Sequence, residues 1–212
     1  LNEHLRRFIF LGGLPAVVAN FLEQRDYNMA AQLIDGLRVG YEDDFQKYCG
    51  RVPEVRLREV LRSVALQAGK KFVHKHAYPD AGSQQVQRAL EILCLAGLVH
   101  KIYHTSANGV PLGAEVDIKR YKTVTFDHGI YQRMLGFTPA ELIVRNLDIL
   151  NKGSLAEVFC GVELIAHSNP ALRGELFYWH RESKSSNAEV DYLMQVGSQI
   201  VPLEVKAASK GK

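Results

Sequence analysis

Glu189-Val190-Asp191 and Ile200-Val201-Pro202-Leu203-Glu204-Val205-Lys206 are the stretches on which the reading of the fold turns. Side chains two apart in a strand share a face, so Glu189 and Asp191 project together, as do Glu204 and Lys206. Gly197-Ser198 stands between the runs, where a turn would fold two strands into a hairpin. Pairing would gather three carboxylates and one ammonium on one side of a sheet. Carboxylate oxygens suit a hard divalent cation, and a lysine can sit beside metal-bound water or a phosphate. The plainer alternative is the charged, solvated face of a half-buried antiparallel hairpin, which shows the same alternation.

Working back along the chain, Leu176-Phe177-Tyr178-Trp179-His180 reads as a strand and Glu182 to Asn187 as a polar turn. Gly153-Ser154 opens a helix through Ile165 whose apolar face is Leu155, Val158, Phe159 and Val162, with Glu157 on its margin. Asp127 is placed to cap one helix, and another is expected from Pro139 to Leu150. Further upstream, Pro53 opens a helix that stops at Gly69, and Ser83 is an N-cap candidate for a helix from Gln84 to Ala96. Val86, Ala89, Leu90 and Leu93 form that helix's buried stripe. Leu98 to Tyr103 and Ala114 to Val124 then read as two strands about a turn at Ser106-Ala107-Asn108-Gly109. Three helices followed by a two-stranded ribbon is the order of a winged helix, with the helix from Ser83 offered to a partner. The first stretch is helical: Leu5, Phe8 and Ile9, then Val17, Val18, Phe21 and Leu22, interrupted by Gly12-Gly13-Leu14-Pro15. A further helix is expected from Asn28 to Tyr48 on a stripe of Met29, Leu33, Ile34, Leu37 and Tyr41.

The bulk numbers bound the function classes. The chain has 212 residues, 47% of them hydrophobic, enough for one large or two small domains. No run reaches the roughly 20 apolar residues of a membrane span, and Leu1-Asn2-Glu3-His4 does not open a signal peptide. Cys49, Cys94 and Cys160 have no paired spacing, which fits buried thiols in a reduced, cytoplasmic protein and no zinc or disulfide framework. The net charge of +3 permits nucleic-acid binding without arguing for it. The first residue is not Met and Lys212 follows closely on a strand, so the chain reads as a piece of something longer.

A helix bearing Glu, a strand bearing Asp and a strand bearing Glu-x-Lys resemble the PD-(D/E)XK nuclease superfamily. More narrowly, the chain resembles the C-terminal region of prokaryotic AAA+ ATPases, a domain of unknown function with a winged helix and a restriction-endonuclease-like sheet. The matching residues are Gly12-Gly13-Leu14-Pro15, Leu90-Glu91-Ile92-Leu93 with Ala96-Gly97-Leu98-Val99, and Lys122 with Phe126-Asp127 and Gly129. Gly153 to Phe159, Tyr178-Trp179, Glu189-Val190-Asp191 and Pro202 to Lys206 follow in order. The resemblance implies an α+β fold: a helical segment over 1–50, a winged-helix module over 51–126 and a nuclease-like α/β domain over 127–212, truncated at its C-terminus. It implies Asp191, Glu204 and Glu157 as Mg²⁺ ligands, with Lys206 completing the catalytic set by orienting the attacking water. His180 departs from the family's Arg after Tyr-Trp.

The basic run Lys70-Lys71-Phe72-Val73-His74-Lys75-His76 is a solvated loop or a phosphate contact, and His74 with His76 makes a poor metal site for want of a third ligand. Glu115-Val116-Asp117-Ile118-Lys119 resembles the acidic strand but is explained by the ribbon. Lys70, Lys71, Lys75, Gln84, Gln85 and Arg88 are the expected nucleic-acid contacts, DNA being the expected partner. No Gly-x-x-x-x-Gly-Lys-Ser/Thr is present, so a nucleotide site is not expected here and the ATPase would be an N-terminal neighbour. Three functions stay open: metal-dependent phosphodiester cleavage, a non-catalytic DNA- or protein-binding module coupled to that ATPase, and a structural domain that self-associates.

Overall fold

The expected hairpin is the far edge of a five-stranded sheet, but its second strand ends at Leu203 and leaves Glu204 and Lys206 beyond the paired segment. In the computed structural model, which describes residues 3–48, 50, 52–78, 82–141, 152–168, 176–182 and 187–207, β4 (Asn187–Val196) pairs antiparallel with β5 (Gln199–Leu203) from Tyr192 opposite Leu203 to Val196 opposite Gln199. Gly197-Ser198 makes the two-residue turn. β4 also pairs antiparallel with β3 (Leu176–Glu182). The expected ribbon is β1 (Val99–Thr105) and β2 (Val116–Thr125), antiparallel, with a short 3₁₀ turn at Leu112–Glu115 between them. β1 then pairs in parallel with β3 through Ile102–Leu176, Tyr103–Phe177 and His104–Tyr178. The order is β2-β1-β3-β4-β5, a mixed sheet in an α+β fold. Ribbon and hairpin, expected in separate modules, share one sheet across the 126/127 boundary.

α5 (Glu54–Leu66) and α7 (Ser83–Leu95) precede the ribbon as expected, while the basic run read as a loop contains a helical turn, α6 (His74–Ala77). Their core joins Leu57, Val60, Leu61 and Val64 to Val86, Ala89, Leu90 and Leu93, closed by Val99 and Tyr121. The Phe72 amide donates to the Tyr121 carbonyl at 2.9 Å, adding the 71–72 segment along β2.

The helical lead-in is α1 (Glu3–Leu11), α2 (Pro15–Gln24), α3 (Tyr27–Asp43) and the single turn α4 (Phe45–Tyr48). The helix expected to run from Asn28 to Tyr48 is divided at Asp44. It buries Ala30, Ala31 and Ile34 while Met29 is exposed. α3 is capped by Asp26, which accepts from the amides of Asn28 and Met29. α8 (His128–Met134) and α9 (Lys152–Ala166) lie against the sheet, α1 and α3 pack on α8, and Phe10, Val17, Ile34, Ile130, Val158 and Tyr192 meet in one core.

Asp127 caps α8 by accepting from the Ile130 amide at 2.8 Å, and its other oxygen accepts from the Gly13 amide at 2.8 Å. One buried carboxylate thus ties the α1–α2 turn to α8. Gly12 holds φ +75°, and a Cβ there would stand 2.4 Å from Asp127 Oδ1, so both backbone and space require glycine.

Cys49, most of the helix expected over 139–150 and the middle of the 182–187 turn lie outside the described residues. Cys94 and Cys160 are free and half-buried rather than buried. No described helix is long and apolar enough to cross a membrane.

Candidate functional site

Lys122 lies on β2 opposite Ile102, on the sheet face that α9 covers. Its side chain is 3% exposed. The ammonium passes the Tyr178 ring, 5.3 Å from its centroid, and meets three carboxylates. Glu157 Oε2, from α9, is 3.4 Å away and Asp191 Oδ1, from β4, is 3.7 Å away, while Glu189 Oε1 is in direct contact.

Alternation puts Glu189 and Asp191 on this face, and a β-bulge adds Tyr192 to it. Phe177 faces Leu193 and Trp179 faces Val190, so Asp191 and Tyr192 together oppose Tyr178. Strict alternation would turn Tyr192 away from the face that Glu189 and Asp191 share, and the extra residue brings it onto that face. Tyr192 and Asp191 now serve the same side, and the Tyr192 hydroxyl donates to the Glu157 carbonyl at 2.5 Å. Asp191 Oδ2 also accepts from the Val205 amide at 2.8 Å, holding the chain beyond β5 alongside β4.

Three carboxylates against one ammonium leave an excess of negative charge in a buried place. Burial pushes the Glu157 carboxyl up to about 7; Asp191 and Glu189 add to the shift, and Lys122 opposes it. Burial works against the Lys122 charge too, but Glu157, Glu189 and Asp191 outweigh it and the ammonium pKa is raised. Gly69 closes the site from the other side. It sits at φ +76°, and a Cβ there would approach Glu157 Oε2 to 3.1 Å.

Of the catalytic residues that the resemblance implies, Glu157 and Asp191 come together. Glu204 and Lys206 do not join them around Lys122: they pair with each other at 2.5 Å on the outside, with side chains 47% and 73% exposed. The hydrogen bond to Glu204 raises the Lys206 pKa first, Asp191 contributing least. The ammonium at Asp191 is therefore that of Lys122. A divalent ion needs carboxylate oxygens at about 2.0–2.6 Å, and Lys122 stands where those of Glu157, Glu189 and Asp191 converge. Among the described residues no group of three or more His, Cys, Asp or Glu is placed to hold a metal. As arranged, these residues do not fit Mg²⁺.

Lys122 carries no role in the motif that the resemblance places it in, yet it is the centre of the cluster. Its signal in the sequence is a charged residue at an inward position of a strand, two before Val124, whose own side chain is buried.

A second candidate surface lies on α7. Val86, Ala89, Leu90 and Leu93 are buried, leaving Gln84, Gln85 and Arg88 exposed. Ser83 begins α7 as its first residue rather than capping it. Its hydroxyl pairs with His74 Nδ1 at 2.6 Å, and His74 Nε2 pairs with the Tyr121 hydroxyl at 2.6 Å. Both ring nitrogens of His74 are thus engaged, and burial, then Lys101, lowers its pKa. The bond from His74 to Ser83 ties α6, which bears the exposed Lys75, to the first turn of α7. Lys70 and Lys71, also exposed, lie by the ribbon edge and line a cleft of about 170 Å³ with Gly69, Lys122, Tyr178, His180 and Glu189.

Residues 2–141 match the family model described as a domain of unknown function, DUF8612. The chain belongs to the DUF8612 family. Residues 152–212 match a second description, domain of unknown function DUF4143. No curated protein and no solved structure matches. In this DUF8612 member the carboxylate cluster joins the two matched regions, with Lys122 contributed by the first and Glu157, Glu189 and Asp191 by the second.

Proposed function

We propose that the chain is a non-catalytic nucleic-acid-binding module, with duplex DNA as its partner. In this reading α5 to β2 is a winged helix, α7 lies in the major groove, and Lys70, Lys71 and Lys75 contact phosphates. The observation that carries it is the exposed Gln84, Gln85 and Arg88 face of α7, tied to α6 and its exposed Lys75 by the pairing of His74 with Ser83. Glutamine and arginine are hydrogen-bonding partners of base edges, and phosphate contacts from lysines fix register on the duplex. Through the AAA+ resemblance, the module couples DNA binding to an ATPase domain on the same polypeptide.

Fluorescence anisotropy on duplex DNA across a salt series tests this. Neutralising Lys70, Lys71 and Lys75 should weaken binding to all sequences and flatten the log–log salt dependence by about 0.9 for each phosphate no longer neutralised. Arg88→Ala should instead reduce discrimination between sequences. Affinity unchanged in both variants would remove the module from DNA. Gel analysis of the same mixtures with Mg²⁺ tests cleavage: products abolished by Asp191→Ala would restore the nuclease reading.

A further inference from the structure

A lysine charge taken out of water is tolerated only where other charges compensate it. Lys122 meets three carboxylates, more than its own charge requires, and each directs an oxygen to within 3.7 Å of the same nitrogen. The stem has little room to leave. Its backbone is held by Ile102 on one side and by a bridge to Lys71 on the other, and its end lies against the Tyr178 ring. The acids are held as well: Asp191 by the Val205 amide, and the Glu157 backbone by the Tyr192 hydroxyl.

We infer that the Lys122 ammonium is the resident cation of this carboxylate site, and that a divalent ion binds among Glu157, Glu189 and Asp191 only when that ammonium is removed. The three oxygens already converge on one point. Without Lys122 they present an all-oxygen ligand set with an excess of negative charge, which suits a divalent ion. Side-chain adjustments of about 1 Å would bring them to the 2.0–2.6 Å of such ligands. Lys122 supplies a fixed positive charge that neither dissociates nor responds to cation concentration. Nothing in this exchange of cations requires α7 to bind DNA.

Calorimetric titration of MnCl₂, with melting curves with and without MnCl₂, tests it on the full chain. Wild type should take up no Mn²⁺ and its melting temperature should not move. Lys122→Ala should melt lower, take up Mn²⁺ near one-to-one and recover melting temperature as Mn²⁺ is added. The added substitution Asp191→Asn should abolish both the uptake and the recovery. Lys122→Met, which keeps the stem and removes the charge, carries the same test if Lys122→Ala does not fold. Near-stoichiometric uptake by wild type that Asp191→Asn abolishes would overturn the inference. So would a folded Lys122 variant that takes up none, or failure of both variants to fold with Mn²⁺ present.

Discussion

Glu157 shows how burial and charge number compete at one residue. Its carboxyl is raised from the ordinary 4.5 to about 7, although an ammonium stands 3.4 Å away. A folded-state pKa above the unfolded one means that the stability tied to this group is full below about pH 4.5 and is lost as pH rises through 7. Glu157→Gln keeps the shape of the protonated form and leaves Lys122 with Glu189 and Asp191. Urea unfolding should therefore find this variant close to wild type at pH 5 and equal or more stable at pH 8, with a flatter dependence between. A loss of more than about 1 kcal/mol at pH 8 would mean instead that the Lys122 ion pair dominates. Glu157 and Asp191 were legible in the sequence because each lies on a regular element. The central cation was not, since no spacing rule links a lysine on β2 to acids 35 and more residues on.

At the scale of elements, local signals named what they could reach. Apolar periodicity located α7 and α9, the apolar runs located β3 to β5 although β5 stops at Leu203 short of Glu204 and Lys206, and Asp127 caps α8 as expected. Two features depend on distant partners and left no local mark. The bulge in β4 exists only in its register with β3. Ser83 lies inside α7, with Gly82 at the N-cap position, and its hydroxyl pairs with His74 on α6. Gly12-Gly13 was visible as a helix break, but its joint with Asp127 spans more than a hundred residues. Gly12→Ala would force a Cβ against that carboxylate in a left-handed backbone. The expected cost is about 1–3 kcal/mol, read as a lower urea midpoint with an unchanged slope. An unchanged midpoint would show that the turn and α8 are not locked together.

For the whole molecule, the shared sheet decides how the parts unfold. β1 and β3 are adjacent, and the Lys122 cluster adds a second link between the two matched regions. Trp179 on β3 and the backbone signal of the helices should therefore lose structure in one coincident urea transition. Two separated midpoints would mean that the regions are thermodynamically independent. A sequence pattern marks each strand but not its neighbour across a crossover, which is why ribbon and hairpin read as separate modules.

The parallel seam between β1 and β3 also bears on how such a chain can be inherited. Cutting between residues 141 and 152 would bare the β1 edge on one fragment and the β3 edge on the other. Unpaired strand edges are templates for association with other chains. A gene that passed on one region alone would leave such an edge uncovered, which favours inheritance of the two regions together.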